Sequence, residues 1–351
     1  MTYLETKRVF IEPDNFNPAI LGEAAEILRT GGLVAFPTET VYGLGANALD
    51  AQACARIFIV KGRPQDNPLI VHVANRAMAD RLVTNWPLAA EKCAGSFWPG
   101  PLTLVLPKTA LVPDAVTGGL NTVALRMPDH PVAVALIEQA GVPVAAPSAN
   151  ISGKPSPTMG SHVWQDLQGK IPLIVDAGSC DVGLESTVLD VSGDIPVILR
   201  PGGIAKEQLE EILGNVEIDK PLVNGVPKAP GMKYRHYAPD GEMLLLVGKR
   251  EKVQQRMVLE IHKAHAQGRK VGILCSLESA SHLHSQLPDL LFVLGSLEHP
   301  QDVASSLFAG LRLCDERKMD LILAEGVDEG GLGLAIMNRL QKASGHRVIR
   351  V

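Results

Sequence analysis

Paired cysteines are missing from this sequence of 351 residues. No two of its five cysteines form a Cys-x-x-Cys pair or a zinc-like spacing: Cys54, Cys93, Cys180, Cys275 and Cys314. Such usage is typical of small apolar core side chains in a reducing compartment, and it argues against a disulfide framework or a metal finger. We therefore expect buried, unpaired thiols.

An excess of positive charge is also missing. Lysine and arginine total 33 against 38 aspartate and glutamate residues, which gives a formal net charge of -5 at pH 7 and a pI of 6.1. A chain with this balance has no overall basic field to gather nucleic acid or an anionic membrane. We expect any RNA contact to be local and direct nucleic-acid binding to be weak.

A long apolar segment is the third absence. No run approaches the roughly 18 apolar residues of a membrane span. The first residues, MTYLETKRVF, mix charged with apolar side chains, unlike a signal peptide. We expect a soluble, cytoplasmic protein that does not act at a membrane.

Three common catalytic motifs are missing as well. The sequence has no Gly-x-x-x-x-Gly-Lys-Ser/Thr phosphate loop, no His-Glu-x-x-His metal pair and no Gly-x-Ser-x-Gly elbow. These absences argue against a covalent nucleophile and against a protein metal site. The chemistry is therefore expected to depend on positioning and charge neutralisation.

The sequence does contain an alternation of short apolar runs with helical patterns. An apolar fraction of 46% and the chain length support two domains, each with a core. Helices are predicted after Asn17 and Pro18 and at 51–60, 76–84, 131–140 and 205–214. Strands are predicted at 33–36, 69–74, 102–106, 122–127, 142–146, 173–176, 187–191 and 196–199. Together these elements predict a twisted mixed α/β sheet.

The composition changes at residues 215–240, where prolines are spaced through the segment. Such spacing is typical of a linker. Its middle, APGMKYRHYAP, places cations and tyrosines side by side, and these either dock the linker onto a domain or serve a site. We therefore predict a first domain at 1–214, a linker at 215–240 and a second domain at 241–351.

Strands and helices alternate more cleanly from residue 241 onward. The pattern predicts a smaller, three-layer, Rossmann-like domain with a parallel sheet. The glycines of DEGGLGLA, residues 328–335, come between a strand and a helix. A tight turn is favoured over a phosphate loop there, because no Lys-Ser/Thr follows the glycines.

The stretch PTETVYGLG follows the predicted strand at 33–36. Solvated turns usually carry Asn, Asp or Gly for backbone reasons. Thr38 and Thr40 at such a strand exit are therefore better explained by something that they bind.

A second polar segment, KGRPQDNPLIVH, joins a predicted helix to a predicted strand. Lys61 and Arg63 lie on either side of a glycine, and Asn67 adds an amide. This cationic loop suits phosphate or carboxylate oxygens, since arginine binds them bidentately and lysine acts as a point charge. The helix dipole also favours cations at a helix C-terminus, so both interpretations stay open at this point.

Further polar residues follow other predicted strands. Ser148, Asn150 and Ser156 alternate with small residues in APSANISGKPSPT, and Arg126 and Arg200 each end an apolar run. Because ligand crevices in α/β sheets lie at strand ends, we expect these side chains to converge on one crevice.

The motifs taken in order resemble a known family. PTETVYGLG, KGRPxxNPLIVH, WPGPLTLVL, ALRMPDHP, APSANxSGxPSPT, STVLDV and LRPG closely resemble the threonylcarbamoyl-AMP synthases in their two-domain form, with a YrdC-like catalytic domain and a Rossmann-like C-terminal domain. The linker and the C-terminal part resemble the same members, so the resemblance covers nearly the whole chain.

The resemblance implies a reaction and its partners. L-Threonine, bicarbonate and ATP, the last with magnesium, would condense to threonylcarbamoyl-AMP with release of pyrophosphate. This is the first step of threonylcarbamoyladenosine modification of tRNA. The product would pass to a downstream tRNA-modifying transferase complex.

The resemblance also implies roles for individual residues. The family's catalytic set is matched without substitution by Lys61, Arg63, Ser148 and Asn150. L-Threonine would be held by Thr40, His72, Thr122, Arg126, Ala146 and Ser186, with Arg126 the partner of its carboxylate. ATP would be held by Arg63, Asn67, Ser148, Ser156, Arg200, Tyr234 and His236, the last two closing over it as a lid.

Two other functions are kept as alternatives. A carbamoyl transferase of the hydrogenase-maturation type shares the catalytic-domain motifs, but it needs zinc-finger cysteine pairs and an acylphosphatase-like segment that this sequence does not have. A double-stranded RNA or tRNA-binding module without catalysis would bind with a steep salt dependence. The acidic net charge disfavours it.

Overall fold

The computed structural model describes residues 4–219 and 236–351. Within these ranges the chain divides into two compact units. One unit contains residues up to 152, 156–181 and 185–219, and the other contains 153–155, 182–184 and the residues from 236 onward. None of the described helices has the length and apolar character to cross a membrane. The expected boundaries at 214 and 240 stay predictions, and most of the expected linker lies outside the described residues.

The first unit is built on a sheet of eleven short strands. Their order across the sheet is β1-β8-β2-β3-β7-β4-β6-β5-β9-β10-β11, with the bounds β1 (Lys7–Phe10), β2 (Val34–Phe36), β3 (Gly43–Asn47), β4 (Ile70–His72), β5 (Leu102–Pro107), β6 (Thr122–Arg126), β7 (Val144–Ala145), β8 (Leu173–Asp176), β9 (Thr187–Asp190), β10 (Val197–Arg200) and β11 (Glu217–Ile218). β4 and β6 are parallel, whereas β5 and β6 are antiparallel. The predicted mixed α/β sheet is confirmed.

Helices connect these strands. Their bounds are α1 (Gly22–Arg29), α2 (Ala51–Lys61), α3 (Arg76–Asp80), α4 (Leu88–Phe97), α5 (Asp114–Thr117), α6 (Pro131–Ala140), α7 (Gly160–Leu167) and α8 (Lys206–Leu213), and a 3-10 turn at Pro18–Leu21 precedes α1. The side chain of Asn17 accepts a hydrogen bond from the backbone nitrogen of Ala19, as expected of an N-cap.

Helix α2 begins and ends on strong local signals. Asp50 caps its first turn by accepting hydrogen bonds from the backbone nitrogens of Gln52 and Ala53. Gly62 ends it in the left-handed conformation, at a φ of 61°, which a residue without a Cβ adopts at little cost. The chain therefore turns sharply between Lys61 and Arg63.

The two faces of the central strands have different surroundings. On one face, alternate residues join the large core of the unit, among them Val71, Leu104, Leu125 and Leu189. On the other face lies a smaller apolar cluster of Ile70, Val105, Ala124, Val188 and Leu199. The register pairs Arg126 with His72 on one side and with Thr103 on the other. Since side chains alternate along a strand, these three polar residues share the face of the smaller cluster.

The second unit has a sheet of five parallel strands in the order β14-β13-β15-β12-β16. Its elements are β12 (Glu242–Val247), α9 (Arg250–Ala266), β13 (Val271–Ser276), α10 (Leu277–His284), β14 (Leu290–Gly295), α11 (Pro300–Glu316), β15 (Leu321–Glu325), α12 (Gly333–Ala343) and β16 (Val348–Arg350). The predicted parallel α/β architecture is confirmed. β13 and β15 are buried on both faces, which explains their continuous apolar runs.

The glycine-rich segment before α12 forms a tight turn, as predicted. The backbone nitrogen of Gly333 donates to the carbonyl oxygen of Gly330. A Cβ at position 333 would lie 1.8 Å from the carbonyl oxygen of Asp328, so only glycine fits there.

All five cysteines are free and buried, as predicted. Burial raises the pKa of the Cys54 thiol to about 12 and that of Cys93 to about 11. These thiols are therefore protonated and unreactive at neutral pH.

Candidate active site

Lys61 is the centre of one polar group on the first unit. It is the last residue of α2, and its side chain is only 2% exposed. Its Nζ donates to the backbone oxygens of Ser148 and Asn150 and, at 3.2 Å, to Oδ1 of Asn150. The Ser148 hydroxyl donates to the same Oδ1 at 2.5 Å. We call Lys61, Ser148 and Asn150 the Lys61 cluster.

The segment that follows α2 holds a second cation. Arg63 is 9% exposed, and its Nη2 donates to the carbonyl oxygens of Asn67 and Pro68 at 3.4 and 3.1 Å. Asn67 is 1% exposed. The turn at Gly62 therefore brings both cations of the KGR motif into buried positions beside neutral oxygen acceptors.

Arg126, at the end of β6, is the centre of another polar group. Its Nε donates to the carbonyl oxygen of Gly100 at 3.2 Å, and its Nη1 donates to the Thr40 hydroxyl at 2.8 Å. Its Nη2 lies 2.7 Å from Oε1 of Glu39. Arg126 and Glu39 are 4% and 5% exposed. We call Glu39, Thr40 and Arg126 the Arg126 cluster.

The threonines of the PTET motif are fully internal. Thr38 and Thr40 are 2% and 0% exposed, and their hydroxyls lie 2.8 Å apart. The Thr38 hydroxyl also donates to the carbonyl oxygen of Val41 at 2.7 Å. Both side chains are therefore buried rather than part of a solvated turn, and their binding of a ligand stays a prediction.

Arg200, the last residue of β10, contacts Ser186. Its Nη2 donates to the backbone oxygen of Ser186 at 2.9 Å and to the Ser186 hydroxyl at 3.1 Å. That hydroxyl lies 2.8 Å from the Thr103 hydroxyl. Because Thr103 is the register partner of Arg126 in the sheet, these contacts link Arg200 to the Arg126 cluster.

His72 is the other register neighbour of Arg126. Burial, with a further contribution from the charge of Arg126, lowers the pKa of His72 to about 3. Its imidazole is therefore neutral at physiological pH. The buried ring packs edge-on against Phe36.

Short backbone links connect the Lys61 cluster with the Arg126 cluster. Ser148 forms an isolated β-bridge with Gly43, three residues after Thr40. Ala146 donates its backbone nitrogen to Ile70 in β4, two residues before His72. Ser156 lies on the chain that follows and donates its hydroxyl to Glu185, next to Ser186. The first unit thus links the Lys61 cluster to the Arg126 cluster through its central strands.

Three of the predicted site residues are not placed in this group. Thr122 begins β6 and shares the face of Arg126, but four residues of strand put the two Cα atoms roughly 13 Å apart. Tyr234 lies outside the described residues, and His236 belongs to the second unit. The predicted lid stays a prediction.

Sequence reasoning gave no role to several residues that contact the predicted ones. Glu39 was visible as the carboxylate of PTET, and Thr103 as a hydroxyl within the apolar run LTLVL, where it interrupts the pattern. Glu185 accepts the hydrogen bond of Ser156. Only an unexpected polar residue inside an apolar run signals such positions in the sequence.

Magnesium was expected with ATP. Among residues 4–219 and 236–351, no three His, Cys, Asp or Glu side chains are grouped where they could hold a metal ion. The described residues therefore offer no protein cage. Mg²⁺ commonly binds through one or two carboxylates together with substrate phosphates, and a site of that kind needs no such cage.

The fold and the polar groups together define a class: an α/β protein whose first unit holds buried cations, amides and hydroxyls near the ends of its strands and helices, and whose second unit is a parallel α/β sheet. Two family models match this division. One, Sua5_yciO_yrdC, described as "Telomere recombination", matches residues 26–202, and the other, the C-terminal domain of threonylcarbamoyl-AMP synthase, matches residues 204–345.

The chain belongs to the threonylcarbamoyl-AMP synthase (Sua5) family. It is 52% identical to the threonylcarbamoyl-AMP synthase of Pyrococcus abyssi over 93% of this chain and 95% of that protein. It is 48% identical to the enzyme of that name from Bacillus subtilis, over 99% of this chain and 100% of the relative. The crystal structure of P. abyssi Sua5 complexed with L-threonine superposes with a TM-score of 0.92, at 49% identity and 99% coverage of both chains.

Proposed function

We propose that this protein condenses L-threonine, bicarbonate and ATP into threonylcarbamoyl-AMP and pyrophosphate. Relatives at 52% and 48% identity carry the name threonylcarbamoyl-AMP synthase, and the P. abyssi structure was obtained with L-threonine. The observation within this chain that supports the proposal best is the linkage of the Lys61 cluster to the Arg126 cluster on one unit.

The Arg126 cluster is the proposed site of L-threonine. Arg126 would receive the carboxylate beside Thr40, its hydrogen-bonding neighbour, and Ser186, which accepts from Arg200, would also contact L-threonine. The other residues proposed to bind L-threonine are His72, Thr122 and Ala146. His72 is neutral, so it adds no second positive charge to this region.

The amine of threonine has to be neutral to attack bicarbonate. A buried site that removes water from the amine disfavours its charged form and so lowers its pKa. The nitrogen lone pair then forms the N–C bond, and a C–O bond of bicarbonate breaks with loss of water. The product is the carbamate.

The Lys61 cluster and Arg63 are the proposed site of phosphoryl transfer. A carbamate oxygen attacks the α-phosphorus of ATP, and the bond to the departing pyrophosphate breaks. Negative charge grows on the phosphoryl oxygens during this step, and preorganised cations stabilise it. Lys61 and Arg63 are proposed for this role.

The nucleotide would be oriented by Asn67, Ser148, Ser156 and Arg200, in addition to Arg63. Their contacts with Arg63, Asn150, Glu185 and Ser186, all in the first unit, support this assignment. Magnesium, when bound to the ATP phosphates, would supply further positive charge there. Tyr234 and His236 remain proposed as a lid over the nucleotide.

The product is a mixed anhydride, which reacts readily with water and other nucleophiles. We propose that a downstream tRNA-modifying transferase complex takes it up. We propose this transfer because the product is reactive, and proteins other than this chain would carry it out.

Pyrophosphate release tests the proposed function directly. We expect the purified protein to release pyrophosphate from ATP only when L-threonine and bicarbonate are both present. A tRNA-binding module would release none under these conditions and would instead bind tRNA with an affinity that falls steeply with salt. Folded protein without pyrophosphate release would therefore reject the synthase.

A further inference from the structure

Glu39 is a buried carboxylate whose hydrogen-bonding capacity is unused within the described part of the chain. It is 5% exposed, yet neither Oε1 nor Oε2 has a hydrogen-bond partner among residues 4–219 and 236–351. Oε1 lies 2.7 Å from Nη2 of Arg126, but the two groups are not aligned as donor and acceptor. An ionised carboxylate offers about four acceptor sites.

A second buried carboxylate in the same unit, Asp176, has its hydrogen bonds supplied by the protein. Asp176, also 5% exposed, accepts from Nε and Nη2 of Arg8 at 2.8 and 2.5 Å through Oδ2. Its Oδ1 accepts from the Tyr42 hydroxyl at 3.1 Å and from the backbone nitrogen of Gly178 at 3.0 Å. Both oxygens of Asp176 are satisfied by the protein, whereas those of Glu39 are not.

Burying a charged group without its hydrogen bonds is costly, so such groups usually have a ligand or a function. The only positive group close to Glu39 among the described ion pairs is Arg126. His130 is a further buried neighbour. Burial lowers the pKa of its imidazole, and the charge of Glu39 opposes this only in part. A neutral imidazole does not balance the carboxylate.

An α-amino acid carries one carboxylate and one ammonium group on the same carbon. An arginine beside a carboxylate is the complementary arrangement, since each protein group faces a ligand group of opposite charge. The ammonium has three donors and matches the acceptor sites left on Glu39. The Thr40 hydroxyl, bonded to Arg126, fixes the position of the guanidinium next to them.

We propose that Glu39 binds the α-ammonium group of L-threonine, while Arg126 binds its carboxylate. The inference rests on the proposed L-threonine site and deepens it, because it names the group that recognises the charged nitrogen. Glu39 is then a specificity residue. It selects an amino acid over a hydroxy acid of the same size, and it accepts a proton from the ammonium before the nitrogen, then neutral, attacks bicarbonate.

Binding of two ligands to the full chain tests this proposal. L-Threonine and 3-hydroxybutanoate, which lacks the amino group, are titrated by calorimetry into the wild type and into Glu39→Gln. Charge-assisted hydrogen bonds of this kind correspond to roughly 10- to 100-fold in affinity. We expect Glu39→Gln to weaken L-threonine binding by that factor and to leave 3-hydroxybutanoate within twofold of the wild type.

Two further variants control for folding and for the negative charge itself. Glu39→Asp keeps the charge on a shorter side chain and is expected to bind L-threonine more tightly than Glu39→Gln does. Asp176→Asn removes the other buried, arginine-paired carboxylate and is expected to leave L-threonine affinity unchanged. Thermal unfolding of each variant establishes that the titrated protein is folded.

The outcomes separate this inference from the proposed function. If the wild type binds L-threonine and Glu39→Gln binds it equally well, the role of Glu39 is rejected while the synthase stands. Equal weakening of both ligands would also reject it, because Glu39 would then act only through Arg126. A folded wild type that does not bind L-threonine would remove the proposed function as well.

Discussion

The Lys61 cluster and the Arg126 cluster each hold a buried cation, but they surround it differently. Lys61 donates to backbone oxygens and an amide oxygen, all of which are neutral. Arg126 lies 2.7 Å from the carboxylate of Glu39. Neutral acceptors such as these orient a cation, and a neighbouring carboxylate forms a pair of opposite charges with it.

This difference matches the two ligands of the proposed reaction. Phosphates carry only negative charge and are stabilised by a cation that keeps its own charge. A free amino acid is a zwitterion and is complementary to a pair of opposite charges. In the proposed function, the Lys61 cluster would therefore serve the polyanion and the Arg126 cluster the zwitterion.

Removing the charge at Lys61 is expected to have the largest effect. We predict that Lys61→Met, which keeps the aliphatic stem that burial requires, lowers pyrophosphate release by about 100- to 1000-fold, as loss of a preorganised electrostatic group does. Steady-state assays with saturating L-threonine measure this effect. Lys92→Met, at an exposed position on α4, is the matched control and should leave the rate unchanged. Turnover of the Lys61 variant within tenfold of the wild type would contradict the role of Lys61.

Removing Arg126 alone should destabilise the fold. We predict that Arg126→Gln lowers the free energy of unfolding by about 3–5 kcal/mol, because the Glu39 charge is left buried without its partner. The double variant Arg126→Gln with Glu39→Gln should recover most of that loss. Urea unfolding of the single and double variants measures both values. Additive effects of the two substitutions would show that the ion pair does not couple these residues.

The pH dependence of stability should report His72. Its pKa is about 3 in the folded protein, against an ordinary value of about 6.5, so between these pH values the unfolded chain binds a proton that the folded chain does not. The free energy of unfolding should therefore fall as the pH drops below about 6.5, by about 1.4 kcal/mol per pH unit. Urea unfolding at pH 7 and pH 5 should show a smaller decrease for His72→Gln than for the wild type. Identical decreases would reject this assignment.

The smallest effect concerns the chain that links the two clusters. A Cβ at Gly45 in β3 would lie 2.8 Å from both Phe36 and Val144, so Gly45→Ala should destabilise the protein by about 1–3 kcal/mol. Gly330→Ala in the second unit, where an added Cβ meets nothing within 4 Å, should change stability by less than about 0.5 kcal/mol. Thermal unfolding of both variants checks the contrast. If Gly45→Ala left the stability unchanged, the packing of β3 against Phe36 and Val144 would not be tight.

Most strands that carry the site could be predicted because each is a short apolar run bounded by polar residues. β4, β5, β6 and β10 fall within two residues of the expected positions. β3 was missed, since GLGAN has little strand propensity, and its glycines are required by the close approach of Phe36 and Val144. β1 was missed as well, because its sequence KRVF is short and half charged.

Lys61 shows where inference from the sequence was incomplete. The sequence places it at the end of a helix, and an exposed position at the helix C-terminus would explain it equally well. The structure buries it, because residues 148 and 150 supply oxygens from a loop nearly ninety positions away. The burial of Lys61 could not be foreseen from its neighbours in the sequence.

Most strands of the first unit, the ends of α2 and the chemical groups available could be read from the amino-acid sequence alone. Apolar spacing, the cap at Asp50 and the glycine at 62 act over a few residues, and such local signals are legible in a linear chain. The contacts of Glu39 with Arg126 and of Thr103 with Ser186, in contrast, are set by the three-dimensional packing of the chain. Strand order and register bring these residues together, and both depend on packing between segments that are distant in sequence.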